Sequence, residues 1–297
     1  MDNLRVRDAA DRLESSAVPD RVSCVAQRSK GQMPANTPLE PTAYGCGGAV
    51  KSSGVNKMPS ISFIIPAYNE ERLLGRTLSA IEQAALTLGE PVEVIVVDDA
   101  STDRTAAMAQ AHRARVVAVK CRQIAATRNA GAREAHGEML LFVDADTIVT
   151  AAAVRAAIAA MRGGAVGGGC AFRFDGRLPP YGRVLAAVAV PLYRALGLAS
   201  GCFLFCTREA FRVAGGFDET LFGAEEAAMS RALRRQGRFV ILRESVTTSG
   251  RKLRAYSGRE VLGILLRLTL AGPKGLRRRD RLDIWYGERR ADPETDV

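Results

Sequence analysis

Met139-Leu-Leu-Phe-Val-Asp-Ala-Asp146 is the stretch that decides the fold of this 297-residue chain. Five apolar residues run without a break and end on two carboxylates two positions apart. A short, wholly apolar run reads as a strand buried on both faces. In extended backbone, residues i and i+2 project to one side, so Asp144 and Asp146 converge at the carboxyl end of that strand. Converging carboxylates repel unless a cation joins them. Mg²⁺ or Mn²⁺ is the hard cation suited to oxygen ligands, and it usually also holds substrate phosphates. The competing reading is a turn with capping aspartates.

The pattern repeats upstream. Ile61–Pro66 and Val92–Val97 are further apolar runs, and Val116–Val119 is a third. Between them, Leu74, Leu78, Ile81, Ala85 and Leu88 recur at steps of three and four, which predicts an amphipathic helix closed by Gly89. Ser101-Thr-Asp is expected to cap a second helix running to about His112, and a third is expected over roughly 123–135. Strands alternating with helices give an α/β fold whose central sheet is mainly parallel and covered on both faces. Ligands of such sheets bind beyond the carboxyl ends of the strands.

The residues found there are polar. Pro66-Ala-Tyr-Asn-Glu follows the first strand; Tyr68 offers a flat face for a base, and Asn69 and Glu70 offer polar groups, although a capped turn is also consistent. Asp98 and Asp99 follow the second strand and could accept from a base N–H or a ribose hydroxyl, while Ser101 or Asp103 does the capping. With Asp144 and Asp146, three acid-bearing strand ends on one sheet favour a nucleotide-diphosphate site over isolated turns. Gly163–Gly169 lacks G-x-G-x-x-G spacing and does not join a first strand to a helix, so it reads as a turn into a strand over Val166–Phe174. Farther on, Glu225 and Glu226 open a predicted helix. Paired acids there are favoured by the helix dipole, and a general base held over the site is the functional alternative.

Charge and cysteines bound the remainder. The net charge is +10, from 42 Lys+Arg against 32 Asp+Glu. Residues 58–250 are nearly balanced, with 22 basic and 19 acidic residues, whereas 251–290 hold 12 basic and 4 acidic ones. The excess is thus a C-terminal feature that suits an anionic ligand or membrane surface. Six cysteines without a C-x-x-C pair, and only two histidines, argue against a structural zinc site and fit a reducing cytosol. The N-terminus lacks the apolar core of a secretory signal. Val184–Cys206 is the longest apolar stretch, but Pro191 and Arg194 interrupt it; it and Val261–Ala271 read as buried or interfacial helices. Residues 1–57 have no sustained period and read as a disordered or mis-assigned extension, with Met58 as a candidate start. Residues 58–250 then form the catalytic domain and 251–297 a basic, helical appendage and tail.

The order PAYNEE, VVDDASTD, FVDAD and GGFDE…GAEE, with Ala126-Thr-Arg128-Asn129-Ala-Gly between them, resembles family-2 glycosyltransferases over roughly Ser60 to Phe239. The resemblance implies the GT-A fold, a three-layer, Rossmann-like arrangement around a mainly parallel mixed sheet. It also implies a nucleotide-sugar donor, a Mn²⁺ or Mg²⁺ cofactor and a hydroxyl acceptor. By it, Tyr68 and Asp99 contact the nucleobase, Asp98 and Glu70 shape the nucleotide pocket together with Pro66 and Asn69, and Arg128 lies near it. Asp144 and Asp146 form the DxD motif, with Asp146 the direct metal ligand. The acid pair matches the family's Glu-Asp motif, whose second acid is the base; Glu226 stands there in place of Asp, so Glu225 stays a candidate too. By position alone, Ser249 and Arg251 are expected to approach the diphosphate. No Gln-x-x-Arg-Trp motif occurs, which argues against processive synthesis.

The expected activity is inverting, metal-dependent transfer of a sugar to a hydroxyl; the apolar region Asp175–Ser200 is consistent with a lipid-linked or apolar acceptor and equally with core packing. The expected place is the cytoplasm, peripheral to the inner face of the membrane. The alternatives are a nucleotidyltransferase, which would want a Gly-rich basic loop after the first strand; a nucleic-acid-binding protein, which would want more aromatics among the basic residues; and an inactive relative.

Overall fold

The computed structural model describes residues 60–287 and positions 290, 292 and 293. The extension over residues 1–57, the proposed start at Met58 and most of the acidic tail lie outside the described residues.

The chain alternates as expected through its first half: β1 (Ile61–Ala67), α1 (Leu74–Leu86), β2 (Val92–Asp99), α2 (Thr105–Ala111), β3 (Arg115–Val119), α3 (Ile124–Glu134), β4 (Met139–Val143) and β5 (Thr147–Ile148). The second half runs α4 (Ala151–Arg162), β6 (Gly167–Phe174), α5 (Pro180–Ala195), β7 (Phe203–Thr207), α6 (Arg208–Ala214), α7 (Glu225–Arg234) and β8 (Phe239–Thr248). It closes with α8 (Arg251–Ala255), α9 (Gly258–Ala271), two short 3₁₀ turns and α10 (Asp283–Tyr286).

The strands form one sheet in the order β3-β2-β1-β4-β7-β6-β8-β5. β1 lies parallel to both β2 and β4, and β2 parallel to β3. β7 runs antiparallel to β4 and β6, whereas β6 and β8 are again parallel. The sheet is therefore mixed, with its parallel half where the apolar runs were read. The carboxyl ends of β1, β2 and β4 open at the same edge, where the order reverses around β1.

Strand alternation distributes the core to two faces. Ile61, Phe63, Ile65, Leu141 and Val143 join Leu74, Leu78 and Ile81 of α1 and Val154 and Ile158 of α4 on one face. Ile64, Leu140 and Phe142 join Ala125, Ala126 and Ala130 of α3 and Leu233 of α7 on the other. α3 is made of small residues because it lies close to the sheet. A Cβ at Gly131 would stand 2.5 Å from Ile64 Cγ2 and 2.7 Å from Val97 Cγ2. Gly131→Ala is thus expected to force α3 outward and cost about 1–3 kcal/mol; urea denaturation checks it, and an unchanged midpoint would mean that α3 shifts freely.

One local expectation is narrowed, from Ser101 or Asp103 to Asp103, and another is revised. α2 begins at Thr105, and its first turn is served by Asp103, which accepts from the Thr105 backbone N–H and hydroxyl. Ser101 instead accepts from the Asn69 N–H, and Thr102 N–H donates to Asn69 Oδ1, tying the β1 loop to the β2 loop. The stretch Val184–Cys206 divides into helix α5, whose outer face is exposed, and strand β7, which enters the core. Among the described residues no helix is long and apolar enough to cross a membrane.

Candidate functional site

At the carboxyl edge of the sheet lies a cavity of about 510 Å³, within the usual range of small-ligand sites. Pro66, Tyr68, Glu70, Asp99, Arg128, Asp144, Asp146, Glu225, Glu226, Ser249 and Arg251 all line it. Residues at or just past the ends of β1, β2, β4 and β8 thus converge with others from α3, α7 and α8; Glu70 and Arg251, which pair, are 181 positions apart in sequence. Asn69 and Asp98 do not line it: Asn69 is engaged with Thr102, and Asp98 Oδ1 accepts from Ser101 N–H in its own turn.

Two arginines organise the acids. Arg128, on α3 and only 3% exposed, donates from Nη1 to Glu225 Oε1 and from Nη2 to Asp144 Oδ1, each at 2.8 Å. It also donates to the Gly201 carbonyl at 3.0 Å. Arg251 donates from Nη1 and Nη2 to the two oxygens of Glu70, at 2.7 and 2.5 Å, and its Nη2 lies 3.2 Å from Asp146 Oδ2. Each aspartate of the D-x-D stretch is thus paired with an arginine, and each arginine ties it to a second acid. β8 supplies the second link because it pairs with β5: Thr248 faces Thr147, and the Ser249 N–H donates to the Asp146 carbonyl at 3.1 Å. Arg128 thus lines the cavity, near the pocket as the resemblance implies, and acts there as an ionic tie between two of its acids.

Asp99, which lines the cavity, also holds the chain that follows β3. Its Oδ1 accepts from the N–H groups of Cys121 and Arg122, and its Oδ2 from the Gln123 N–H and the Thr127 hydroxyl. Four donors occupy it, so this carboxylate caps the entry to α3. Tyr68 is covered by a residue that sequence reading passed over: the Arg122 guanidinium lies 3.4 Å from the ring centroid. Arg122 lines the same cavity, so a planar ligand stacking on this wall would meet an aromatic ring already faced by a cation.

The two glutamates part company. Glu225 is buried and committed to Arg128. Glu226 has no ion pair among the described residues; burial first, and the neighbouring Glu225 charge second, push its carboxyl up to about 8, against the opposing pull of Arg128. A carboxyl poised near neutral pH in a cavity is the form a general base takes. The helix that carries both begins after Ala224, whose φ of 58° lies in the left-handed region that costs a non-glycine residue about 1–2 kcal/mol.

Asp144 and Asp146 supply only hard oxygen donors from one short segment. Among the described residues no cluster of three or more acidic, histidine or cysteine groups is placed to hold a metal. Two carboxylates nevertheless suit Mg²⁺ or Mn²⁺, which binds through one or two carboxylates and completes its shell with phosphates and water.

The C-terminal segment contributes a wall that no motif announced. Leu276, Leu282, Ile284, Trp285 and Tyr286 line the cavity. Phe222 N–H donates to the Leu276 carbonyl at 2.8 Å, and the Phe222 and Tyr286 rings meet edge to face at 5.6 Å. Trp285 in Asp-Ile-Trp-Tyr was the visible signal, an apolar aromatic within a basic stretch.

The glycosyl transferase family 2 model matches residues 62–205. A validoxylamine A glucosyltransferase of Streptomyces hygroscopicus subsp. limoneus is 34% identical over 131 residues, covering 41% of this chain and 29% of that protein. An undecaprenyl-phosphate 4-deoxy-4-formamido-L-arabinose transferase of Pseudomonas aeruginosa (strain LESB58) is 40% identical over 94 residues, covering 29% of this chain and 27% of that protein. The chain thus spans less than a third of the length of these curated relatives. Among solved structures, a mannosyltransferase of Pyrobaculum calidifontis in complex with GDP-Man and Mn²⁺ superposes with a TM-score of 0.55 at 19% identity, over 74% of this chain and 63% of that one. Glucosyl-3-phosphoglycerate synthase of Mycobacterium tuberculosis, in complex with Mn²⁺, UDP and glucosyl-3-phosphoglycerate, gives 0.52 at 22% identity, over 86% and 90%. The fold is GT-A, and residues 62–205 of the chain match the glycosyl transferase family 2 model.

Proposed function

We propose that the protein transfers a sugar from a nucleotide-diphosphate sugar to a hydroxyl acceptor with inversion at the anomeric carbon. The observation that carries this reading is the convergence in one cavity of Tyr68 and Arg122, the Asp144–Asp146 pair and the uncommitted Glu226. The base of the donor lies against Tyr68 and Arg122, and its diphosphate beside Asp144, Asp146, Ser249 and Arg251. The Glu226 carboxylate accepts the acceptor's hydroxyl proton as the acceptor oxygen bonds to the anomeric carbon. The bond from that carbon to the diphosphate oxygen breaks, and the nucleoside diphosphate leaves. Holding both substrates side by side supplies the orientation that a bimolecular reaction lacks. Asp144 and Asp146 would hold Mg²⁺ or Mn²⁺, which when bound offsets charge on the leaving diphosphate. Arg251 adds fixed positive charge at the same place.

The acceptor enters from the side of α5 and the C-terminal wall. Phe174, Ala189, Leu276, Ile284 and Trp285 make that side apolar, which favours a hydroxyl on an apolar carrier over a free sugar.

Nucleoside diphosphates with Mn²⁺ test this reading by thermal shift. At a hundredfold excess over Kd the matching nucleotide is expected to stabilise the fold by about 2.7 kcal/mol. Asp146→Asn is expected to remove the Mn²⁺-dependent part of the shift. The absence of any shift with UDP, GDP, CDP, ADP and dTDP, with or without Mn²⁺, would sink the assignment.

A further inference from the structure

Of the eleven exposed large hydrophobic side chains among the described residues, eight lie on α5, its C-cap and α9. On α5 and its C-cap, Val184, Val188, Leu192 and Leu196 recur at steps of four, which places them along one side of the helix. On α9, Leu262, Leu266 and Leu270 do the same. These seven are between 50% and 79% exposed. Both helices are thus amphipathic in the inverse sense, with apolar side chains turned outward. Tyr181, at the start of α5, donates its hydroxyl to the carbonyls of Leu253 and Tyr256, so α5 is anchored where α8 passes into α9.

The charges around these stripes have one dominant sign. The α5 segment contains no acid; its charged residues, Arg183 and Arg194, are both exposed and lie together along one flank of the stripe. On α9, Arg259 and Arg267 are exposed, and Glu260, the single acid, is paired with Arg290. Apolar side chains flanked by cations fit a negatively charged bilayer, in which the stripe enters the acyl boundary and the guanidinium groups reach to phosphates. A second protein surface would want acids on the partner and a polar rim. The opposite side of α5 meets the reaction cavity through Ala189 and Tyr193, so a bilayer against the outer stripe would lie one helix away from the site.

We propose that the outward faces of α5 and α9 form a docking surface for an anionic lipid bilayer. The proposal concerns surface binding alone and stands whether or not the glycosyl-transfer reading holds. The test is co-sedimentation of the full-length chain with phosphatidylcholine vesicles and with phosphatidylcholine–phosphatidylglycerol vesicles. Binding is expected to the anionic vesicles, with little to the neutral ones, and is expected to weaken as salt is raised. Val188→Ser/Leu192→Ser and Leu262→Ser/Leu266→Ser are each expected to lower the partition by about tenfold. Leu86→Ser, at an exposed apolar position far along the chain on α1, should leave it unchanged, and thermal midpoints verify that every variant is folded. Three results would overturn the proposal: a wild-type protein that stays in solution with anionic vesicles, a dimer that the α5 and α9 substitutions dissociate, or vesicle binding that appears only after residues 1–57 are removed.

Discussion

Arg128→Leu is expected to destabilise the protein by about 3–5 kcal/mol, the cost of breaking a buried ion pair from one side. The substitution removes the only guanidinium that reaches both Asp144 and Glu225 among the described residues. Glu225 is 6% exposed at its side chain, so its carboxylate cannot turn to water when its partner goes. Asp144 is 35% exposed and recovers part of its hydration, which holds the loss near the lower end. For a domain of this size each kcal/mol lowers Tm by about 2–4 °C, so a fall on the order of 10 °C is expected in calorimetry. Arg128→Lys should recover only part of this, because an ammonium on a shorter reach cannot serve two carboxylates with a planar fork. The double variant Arg128→Leu/Glu225→Gln should lose clearly less than the sum of the two single losses, since both remove one interaction. Additive losses, or an Arg128→Leu protein within about 0.5 kcal/mol of the wild type, would show that Arg128 is not the tie it is drawn as.

This network also shows where sequence reasoning reached its limit. The parallel half of the sheet was legible because β1, β2 and β4 are short, dominated by β-branched or apolar residues, and each leads into a polar loop. Their shared edge follows from topology, so the gathering of Tyr68, Glu70, Asp144 and Asp146 could be expected before any coordinates. Pairing partners could not. Asp99 and Asp98 are adjacent acids after the same strand, yet Asp99 is consumed by four donors at the entry to α3 and Asp98 by a turn. Which acid remains free for a ligand depends on where the next loop passes, and that is set by long-range packing. Arg122 was missed for the same reason: nothing in Lys-Cys-Arg-Gln says that the left-handed backbone at Arg122, with φ of 49°, lays its guanidinium on Tyr68. The division of labour between Glu225 and Glu226 was equally hidden. Position in the motif offered both, and the structure separates them by one ion pair.

Glu226→Gln is expected to reduce turnover by about 10²–10⁴-fold, the usual share of a positioned general base, while raising stability at alkaline pH. The two effects have one origin. In the folded protein the carboxyl titrates near 8, against an ordinary value of 4.5. Between those two values the folded state keeps a proton that the unfolded chain has released. Stability therefore falls as pH rises from about 4.5 to 8 and levels off above that. Glutamine cannot ionise, so the variant should lose this part of the slope and overtake the wild type in the upper part of the window; urea melts across pH 5 to 9 measure the difference. Catalysis runs the other way, because only the carboxylate can take a proton. In the wild type, kcat/KM should therefore rise with pH through about 8, and the residual activity of Glu226→Gln should lack that limb. Glu225→Gln provides the contrast: its carboxylate already serves Arg128, so its loss should appear chiefly in Tm. A Glu226→Gln enzyme with full turnover and an unaltered pH profile would transfer the role of base elsewhere, and a variant that is less stable than the wild type at pH 9 would show that the Glu226 carboxylate is stabilised, not strained, by its surroundings.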